Sequence, residues 1–423
     1  MERFVIRGPS NKAKGIVNIS GAKNSVLLLM AASILFDDHI ILKNVPLTSD
    51  VYTMQKLLCS LGSQIQIDKK NKTIKIHNKK KLKTTVPRNV VKQMRASLAT
   101  MGPLLGKYGY VQSSFPGGCS LGFRGINFSL NGFNKLGASH KISKGNIIIK
   151  SKKIHGGYYK FPKISVTGTA NLIMASVLAK GSRIILKNVS REPEVLDLIL
   201  MLRKAGSIIN FKGTRTLEIK GVDKLTGITH KVISDRVEAF SYLCVGAITK
   251  GNVKVKNINP NFLREELNVL RKIGCKLKTT ENSIEIKVDK KLKSVKIKTN
   301  PAPGFATDNQ PMLMALLTLA HGKSEITETI FSNRFAAAAE LNRMNASIVI
   351  KKNRAIIIGK DRLEPADCMV SDLRCGFALI LGAIAARDKK NPIFVERVYH
   401  IERGYFNIIK KLQGLKIDIK ATS

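Results

Sequence analysis

The chain writes one pattern six times. Each copy opens on a short polar signal and runs into a helix-length apolar block. It then breaks, often at Lys-Gly or His-Gly, and passes through a short strand into an amphipathic helix. The openers are Ser20-Gly-Ala-Lys-Asn24, Met94-Arg-Ala-Ser97, Val166-Thr-Gly-Thr169, Ser234-Asp-Arg-Val-Glu238, Thr307-Asp-Asn-Gln310 and Ser371-Asp-Leu-Arg374. Successive openers lie roughly 64 to 74 residues apart, longer than a solenoid repeat and long enough for a small α/β unit. The blocks at 26–32, 172–179, 240–248, 312–320 and 377–386 are apolar on nearly every side and read as buried helices. The second copy is less regular, at Met101-Gly-Pro-Leu-Leu105.

The amphipathic helices end alike, at Leu61-Gly-Ser63, Leu136-Gly-Ala138, Ala205-Gly-Ser207, Ile273-Gly-Cys275 and Met344-Asn-Ala346. Gly or Asn there suits the left-handed residue that closes a helix. Alternating runs such as 64–68, 73–77 and 285–288 predict strands with one wet face. Each copy therefore reads as βαβαββ with one buried helix. Three copies around a bundle of buried helices make one domain, and 423 residues make two. A generic α/β protein is the plainer alternative; recurrence of the whole order of elements favours repeats.

Lys and Arg total 72 against 29 Asp and Glu, a net charge of +43. The lysines are spread through every segment, as at Lys69-Lys70, Lys79-Lys80-Lys81, Lys290-Lys291-Leu292-Lys293 and Lys410-Lys411. No basic tail or aromatic-studded strand face stands out, so the charge reads as solvated surface rather than a nucleic-acid site. It still favours small anions. The start, Met1-Glu-Arg-Phe-Val-Ile6, is strand-like, and no signal peptide is expected. The longest apolar blocks fall short of the about 20 residues that cross a bilayer. Cys59, Cys119, Cys244, Cys275, Cys368 and Cys375 form no Cys-x-x-Cys pair. Neither a metal nor a disulfide framework is expected, and a reducing cytoplasm fits.

Two features carry chemistry. Lys23, Arg95 and Arg236 bring positive charge to helix starts, and Asp235, Asp308 and Asp372 bring carboxylates. Each Asp is either an N-cap or part of an anion site, and the pattern leaves both open. The second feature is Phe115-Pro-Gly-Gly-Cys-Ser-Leu-Gly122, where glycines predict an exposed loop. Cys119 beside Arg124 fits an acid or nucleophile of lowered pKa, against the alternative of a small buried hydrophobe. Gly-x-x-x-x-Gly-Lys-[ST] is absent.

Taken in order, Ile19-Ser-Gly-Ala-Lys-Asn24, Met94-Arg-Ala-Ser97, Pro116-Gly-Gly-Cys119 with Arg124, Arg191-Glu-Pro-Glu194, Thr307-Asp-Asn-Gln310, Asn333-Arg-Phe335, Ser371-Asp-Leu-Arg374 and Tyr399-His-Ile-Glu-Arg-Gly-Tyr405 resemble the UDP-N-acetylglucosamine 1-carboxyvinyltransferase (UDP-GlcNAc enolpyruvyl transferase) family, essentially end to end. The resemblance implies two inside-out α/β barrel domains, each of three βαβαββ-like repeats around buried helices. It implies residues 22–232 in one and 1–21 with 233–423 in the other, with the active site in the cleft between them. It implies transfer of the enolpyruvyl group of phosphoenolpyruvate to the 3-hydroxyl of UDP-GlcNAc with release of phosphate, the first committed step of peptidoglycan synthesis. A cytoplasmic monomer serving cell-wall growth, shape and division, without cofactor or metal and sensitive to fosfomycin, is expected.

By the same resemblance Cys119 is the proton donor and Asp308 the acceptor-side carboxylate and base. Lys23 and Asn24 meet phosphoenolpyruvate, and Arg124 and Arg403 clamp its phosphate and carboxylate. Arg95, Lys163, Ile164, Ser165, Val166, Ile330 and the stretch Arg124, Gly125, Ile126, Asn127, Phe128 face the nucleotide sugar. Asp372, Arg374 and Arg334 are further site candidates, with an interdomain ion pair as the alternative for Asp372 and Arg374. The chain departs from the family at Ser332, at Ala336-Ala-Ala-Ala339, at Phe240 and Ser241, at Gly125 and Asn127, and at Leu412-Gln-Gly-Leu-Lys416. These read as drift in stability or turnover. Two rivals are a shikimate-pathway enolpyruvyl transferase and a basic nucleic-acid-binding protein that has lost catalysis.

Overall fold

In the computed structural model the described residues are 2–7, 12–115, 126–386 and 391–422. The six apolar blocks are helices: Lys23–Ala32, Met101–Tyr108, Val166–Ser176, Arg236–Ile248, Gln310–Leu317 and Leu373–Ala385. Every residue of Arg236–Ile248 is buried, as periodicity-free hydrophobicity requires. The irregular second copy has a packing reason. A Cβ on Gly102 would lie 2.2 Å from the Asn171 carbonyl oxygen and one on Gly106 would lie 2.7 Å from that of Ala175. Glycine there lets Met101–Tyr108 touch the backbone of Val166–Ser176, and Asn171 Oδ1 accepts from Gly102 N at 2.7 Å.

The second helices, Ser49–Leu61, Asn127–Lys135, Pro193–Lys204, Arg264–Lys272, Ala337–Arg343 and Ile408–Gly414, bury one stripe each. Past their ends lie Gly62, Gly137, Gly206, Gly274, Asn345 and Lys416, all left-handed, at φ 114°, 91°, 100°, 100°, 61° and 67°. Lys416 takes the place that glycine or asparagine fills five times, at a steric cost that glycine avoids.

The sheets obey one rule. In each, a strand runs parallel to the strand that follows the buried helix, and a hairpin adds two antiparallel strands. Gly157–Lys160 beside Arg183–Lys187, with Thr216–Lys220 and Ile208–Phe211, is the plain case. Lys296–Lys298 beside Lys323–Thr327 repeats it with Arg354–Ile358 and Ser347–Lys351. Two sheets take their parallel strand from far along the chain: Ile228–Lys231 lies beside Ile40–Lys43, and Lys14–Asn18 beside Asn252–Lys256. In the second copy, that strand shrinks to a bridge between Thr85 and Gln112. The sixth copy lacks a hairpin strand of its own. Arg3–Arg7 fills the place, between Ile393–Glu396 and Asp418–Thr422.

The described residues of 21–233 form one compact unit, and those of 2–20 and 234–422 form the other. Backbone bonds lie on each side of this division: Ala22 N donates to Ile233 O at 2.7 Å, and Asp235 N to Ser20 O at 2.9 Å. Each unit has its own apolar core. In a βαβ crossover the helix starts where the strands end. So within each unit the openers and the connections after the next strand share one end, the usual ligand end of parallel α/β structure.

Candidate active site

Six helix starts divide into two kinds. Ser165 Oγ accepts from Gly168 N, Asp235 from Val237 N and Glu238 N, and Asp372 from Arg374 N and Cys375 N. For Asp235 and Asp372 the N-cap reading therefore holds. At Lys23, Arg95 and Thr307 the N-cap residues are Ala22, Met94 and Ala306, whose side chains make no capping hydrogen bond. The N–H groups there point out of the helix, a setting that favours negative charge.

In the unit that contains both chain ends, Asp308 joins two arginines. Arg334 Nη2 lies 2.6 Å from Asp308 Oδ1. Arg374 Nη2 and Nε lie 3.0 and 3.2 Å from Oδ2. Both guanidinium side chains are buried, 1% and 5% exposed, whereas the Asp308 side chain is 26% exposed. Burial works against the Arg374 charge, but Asp308, Tyr405 and Asp235 more than offset it and raise its pKa. Arg374 pairs with Asp308 inside one unit, because its helix start and the Thr307 opener share an end. Arg334 also donates from Nε to Thr307 O at 3.0 Å.

The loop that carries Arg334 is fixed by Glu328, which is 2% exposed. Its carboxylate accepts from Ile330 N at 2.7 Å, Phe331 N at 3.1 Å and Thr307 Oγ1 at 3.0 Å. Ile330 itself is exposed. Arg403 follows the short helix Tyr399–Glu402 and is half-buried. The His400 pKa is lowered by burial and then by Arg403. Tyr405 stands 5.8 Å from the Arg374 guanidinium and shares a 2.8 Å hydrogen bond with Ser241. Burial pushes its hydroxyl up to about 12.

In the unit of 21–233, Lys23 forms a 2.9 Å ion pair with Asp50, whose side chain is 4% exposed. Asn24 follows it in the first turn. Ser25 Oγ donates to Asp197 Oδ2 at 2.5 Å. His230 Nε2 lies 2.8 Å from Asp197 Oδ1, and Ile233 N donates to Oδ2 at 3.3 Å. Arg95 opens the turn Arg95–Thr100. Lys163 is exposed, Ile164 and Ser165 are half-buried, and Val166 is exposed. Ile126, Asn127 and Phe128 start the helix Asn127–Lys135, where Phe128 O accepts from Tyr159 Oη at 3.0 Å. Cys119, Arg124 and Gly125 lie outside the described residues.

Residues 8–412 match the family described as EPSP synthase (3-phosphoshikimate 1-carboxyvinyltransferase). The chain is 43% identical over 421 residues to UDP-N-acetylglucosamine 1-carboxyvinyltransferase of Pelagibacter ubique, spanning 99% of both chains. It is 42% identical to UDP-N-acetylglucosamine 1-carboxyvinyltransferase 2 of Clostridium tetani, again over 99% of both. The chain belongs to the UDP-N-acetylglucosamine 1-carboxyvinyltransferase family. The enolpyruvyl transferase NikO from Streptomyces tendae shares its fold at a TM-score of 0.90 and 20% identity, with 100% of this chain and 99% of that one covered. EPSP synthase from Acinetobacter baumannii does so at 0.77 and 19%, with both chains fully covered. The inside-out α/β fold is therefore that of the enolpyruvyl transferases.

Departures from the family pattern have physical explanations in three places. Phe240 fills core space and meets Phe305 edge-to-face at 5.8 Å. Ser241 keeps a hydroxyl for Tyr405. Ser332 is exposed. Residues of the candidate site that sequence reasoning missed are the buried partners Asp50, Asp197, His230, Glu266 and Glu328. An acidic residue on an otherwise apolar stripe was the available signal for Asp50, Asp197 and Glu266. Cys244, Cys275, Cys368 and Cys375 are buried, but Cys59 is exposed on the wet side of Ser49–Leu61. Among the described residues no helix can cross a membrane, and no group of side chains could hold a metal ion.

Proposed function

We propose that this protein transfers the enolpyruvyl group of phosphoenolpyruvate to the 3-hydroxyl of UDP-GlcNAc and releases phosphate, the first committed step of peptidoglycan synthesis. The observation that carries this reading is end-to-end identity of 43% and 42% with relatives that bear that name. The geometry supports it. Addition of a hydroxyl to the enol phosphate, followed by loss of phosphate, needs a proton for the methylene carbon, a group that takes up the acceptor hydroxyl proton, and cations around phosphate and carboxylate. Asp308 lies between two guanidiniums and presents a partly exposed carboxylate to an acceptor hydroxyl. Lys23 and Asn24, at an uncapped helix start, suit the phosphoenolpyruvate anion. Arg403 and Arg124 complete its clamp, and Cys119 supplies the proton. Arg95, the 126–128 turn, 163–166 and Ile330 serve the nucleotide sugar. Asp372 acts chiefly as a cap that orients Arg374.

Phosphate release from phosphoenolpyruvate tests the reading. Release that depends on UDP-GlcNAc is expected. Release that depends instead on 3-phosphoshikimate would move the chain to the shikimate reaction. Cys119→Asp should retain activity and resist fosfomycin, and Cys119→Ser should lose most activity, since a hydroxyl is a much weaker acid than a thiol. A monomeric, cytoplasmic enzyme with no nucleic-acid partner completes the proposal. Sedimentation and a nucleic-acid titration across salt check the first and last points.

A further inference from the structure

Two buried carboxylates stand directly behind the openers and belong to none of the substrate-facing positions above. Asp197, on Pro193–Lys204, is 2% exposed; Glu266, on Arg264–Lys272, is 2% exposed. Asp197 takes the Ser25 hydroxyl at 2.5 Å, the His230 ring at 2.8 Å and Ile233 N at 3.3 Å. Ala22 N is bonded to Ile233 O at 2.7 Å, so Asp197 holds both ends of the segment that brackets Lys23 and Asn24. Glu266 Oε1 takes Ala306 N at 2.9 Å and Asn309 Nδ2 at 3.0 Å, one contact on each side of Asp308. The same device recurs in mirror charge, where Lys411 of Ile408–Gly414 reaches Glu238 at 2.6 Å and Ser20 Oγ at 2.7 Å. The amphipathic helix of a repeat thus braces the start of a buried helix.

We propose that Asp197 and Glu266 are positioning residues of the transfer reaction, Asp197 for Lys23 and Asn24, and Glu266 for Asp308. The proposal rests on the enolpyruvyl-transfer reading, and its physical basis is rigidity. A charged hydrogen-bond partner behind a helix's first turn fixes the groups that flank the site residues, and so sets where their side chains point. Small misplacements of reacting groups cost large factors in rate. The two braces serve different partners, so their losses differ in kind. Removing the Asp197 charge loosens the phosphoenolpyruvate side and leaves the acceptor side in place. Removing the Glu266 charge loosens Asp308.

The experiment compares Asp197→Asn, Glu266→Gln and Ser25→Ala with Lys23→Ala, Asp308→Asn and a stability control, Glu218→Gln. Glu218 is a buried carboxylate paired with Arg183, on the hairpin strand Thr216–Lys220. Steady-state kinetics with both substrates and thermal melts are recorded for each. Asp197→Asn is expected to raise KM for phosphoenolpyruvate about tenfold with KM for UDP-GlcNAc nearly unchanged. Glu266→Gln is expected to lower kcat about tenfold with both KM values nearly unchanged. Ser25→Ala should follow Asp197→Asn more weakly and keeps the test open if Asp197→Asn does not fold. Asn309→Ala plays that part for Glu266. Lower melting temperatures with unaltered kinetics, as expected of Glu218→Gln, would overturn the proposal. If Lys23→Ala and Asp308→Asn also left kinetics unaltered, the functional reading itself would fall.

Discussion

The two units use one repeat but hold their site charges differently. In 21–233 the cation Lys23, whose side chain is 12% exposed, rests on the more deeply buried carboxylate Asp50, whose side chain is 4% exposed. In the unit with both chain ends the order is reversed: the partly exposed group is the carboxylate Asp308, and the buried groups are Arg334 and Arg374. The first arrangement presents positive charge suited to an anion. The second presents a charged acceptor suited to a hydroxyl. The units also differ in their thiols. Cys244, Cys275, Cys368 and Cys375 are all buried in the chain-end unit, whereas Cys59 of the other is exposed. A shared backbone plan therefore leaves chemistry to the few residues at the helix starts.

The sharpest way to break this comparison is Asp308→Asn. Turnover should fall by about 10²- to 10⁴-fold, the usual range for a lost acid–base group. Asparagine is nearly isosteric, yet the change leaves two buried guanidiniums without their carboxylate, so stability should fall too, by about 3 kcal/mol. Asp50→Asn in the other unit should weaken phosphoenolpyruvate binding more than turnover. Equal kinetic patterns for the two variants, in kcat and KM, would erase the distinction between the units.

Alkaline pH should separate the units next. Burial raises the Cys275 thiol to about 12 and the Cys375 thiol to about 11, and raises Cys244 and Cys368 as well. Tyr405 is raised to about 12 by burial. Their folded pKa values exceed the unfolded ones, so the folded state holds protons that the unfolded chain gives up. The stability they confer is complete below about pH 9 and is lost as pH rises through the range from 9 towards 12. Hydrogen exchange followed by peptide should show the chain-end unit losing protection first. Loss at the same pH in both units would count against the thiols as the cause. At neutral pH a thiol reagent should label Cys59 and leave the four buried cysteines untouched, and any rapid labelling of Cys375 would contradict its burial.

The smallest effect concerns the sixth repeat. Lys416→Gly should stabilise the chain-end unit by about 0.5 to 1 kcal/mol, because Lys416 holds a left-handed φ of 67° that glycine adopts without strain. Gly274→Ala, at φ 100°, should destabilise by at least as much. Urea melts of the two variants check both signs.

Much of the fold was legible. Unbroken apolar stretches have no wet face, so five of the six buried helices could be read directly, and glycine or asparagine marked five of the amphipathic helix ends. The sixth end escaped because lysine carries no signal for a left-handed turn. At the site, Asp235 and Asp372 look the same in sequence as Asp308, each an acidic second residue of an opener. Only the position of the carboxylate separates them: two turn back to cap their own helices, and Asp308 turns to Arg334 and Arg374.

The sequence by itself determined the repeat, its elements and the side-chain chemistry at each helix start, since periodicity and turn residues act over a few positions. Tertiary structure alone decided which strands complete which sheet. Arg3–Arg7 joins the last repeat and Ile228–Lys231 the first sheet of the other unit, because an open sheet edge carries unpaired backbone groups and pairs with any strand that the core brings alongside. It also decided the braces. Asp197 and Ser25 are far apart in sequence, and a buried carboxylate takes whichever donors the packed interior places around it.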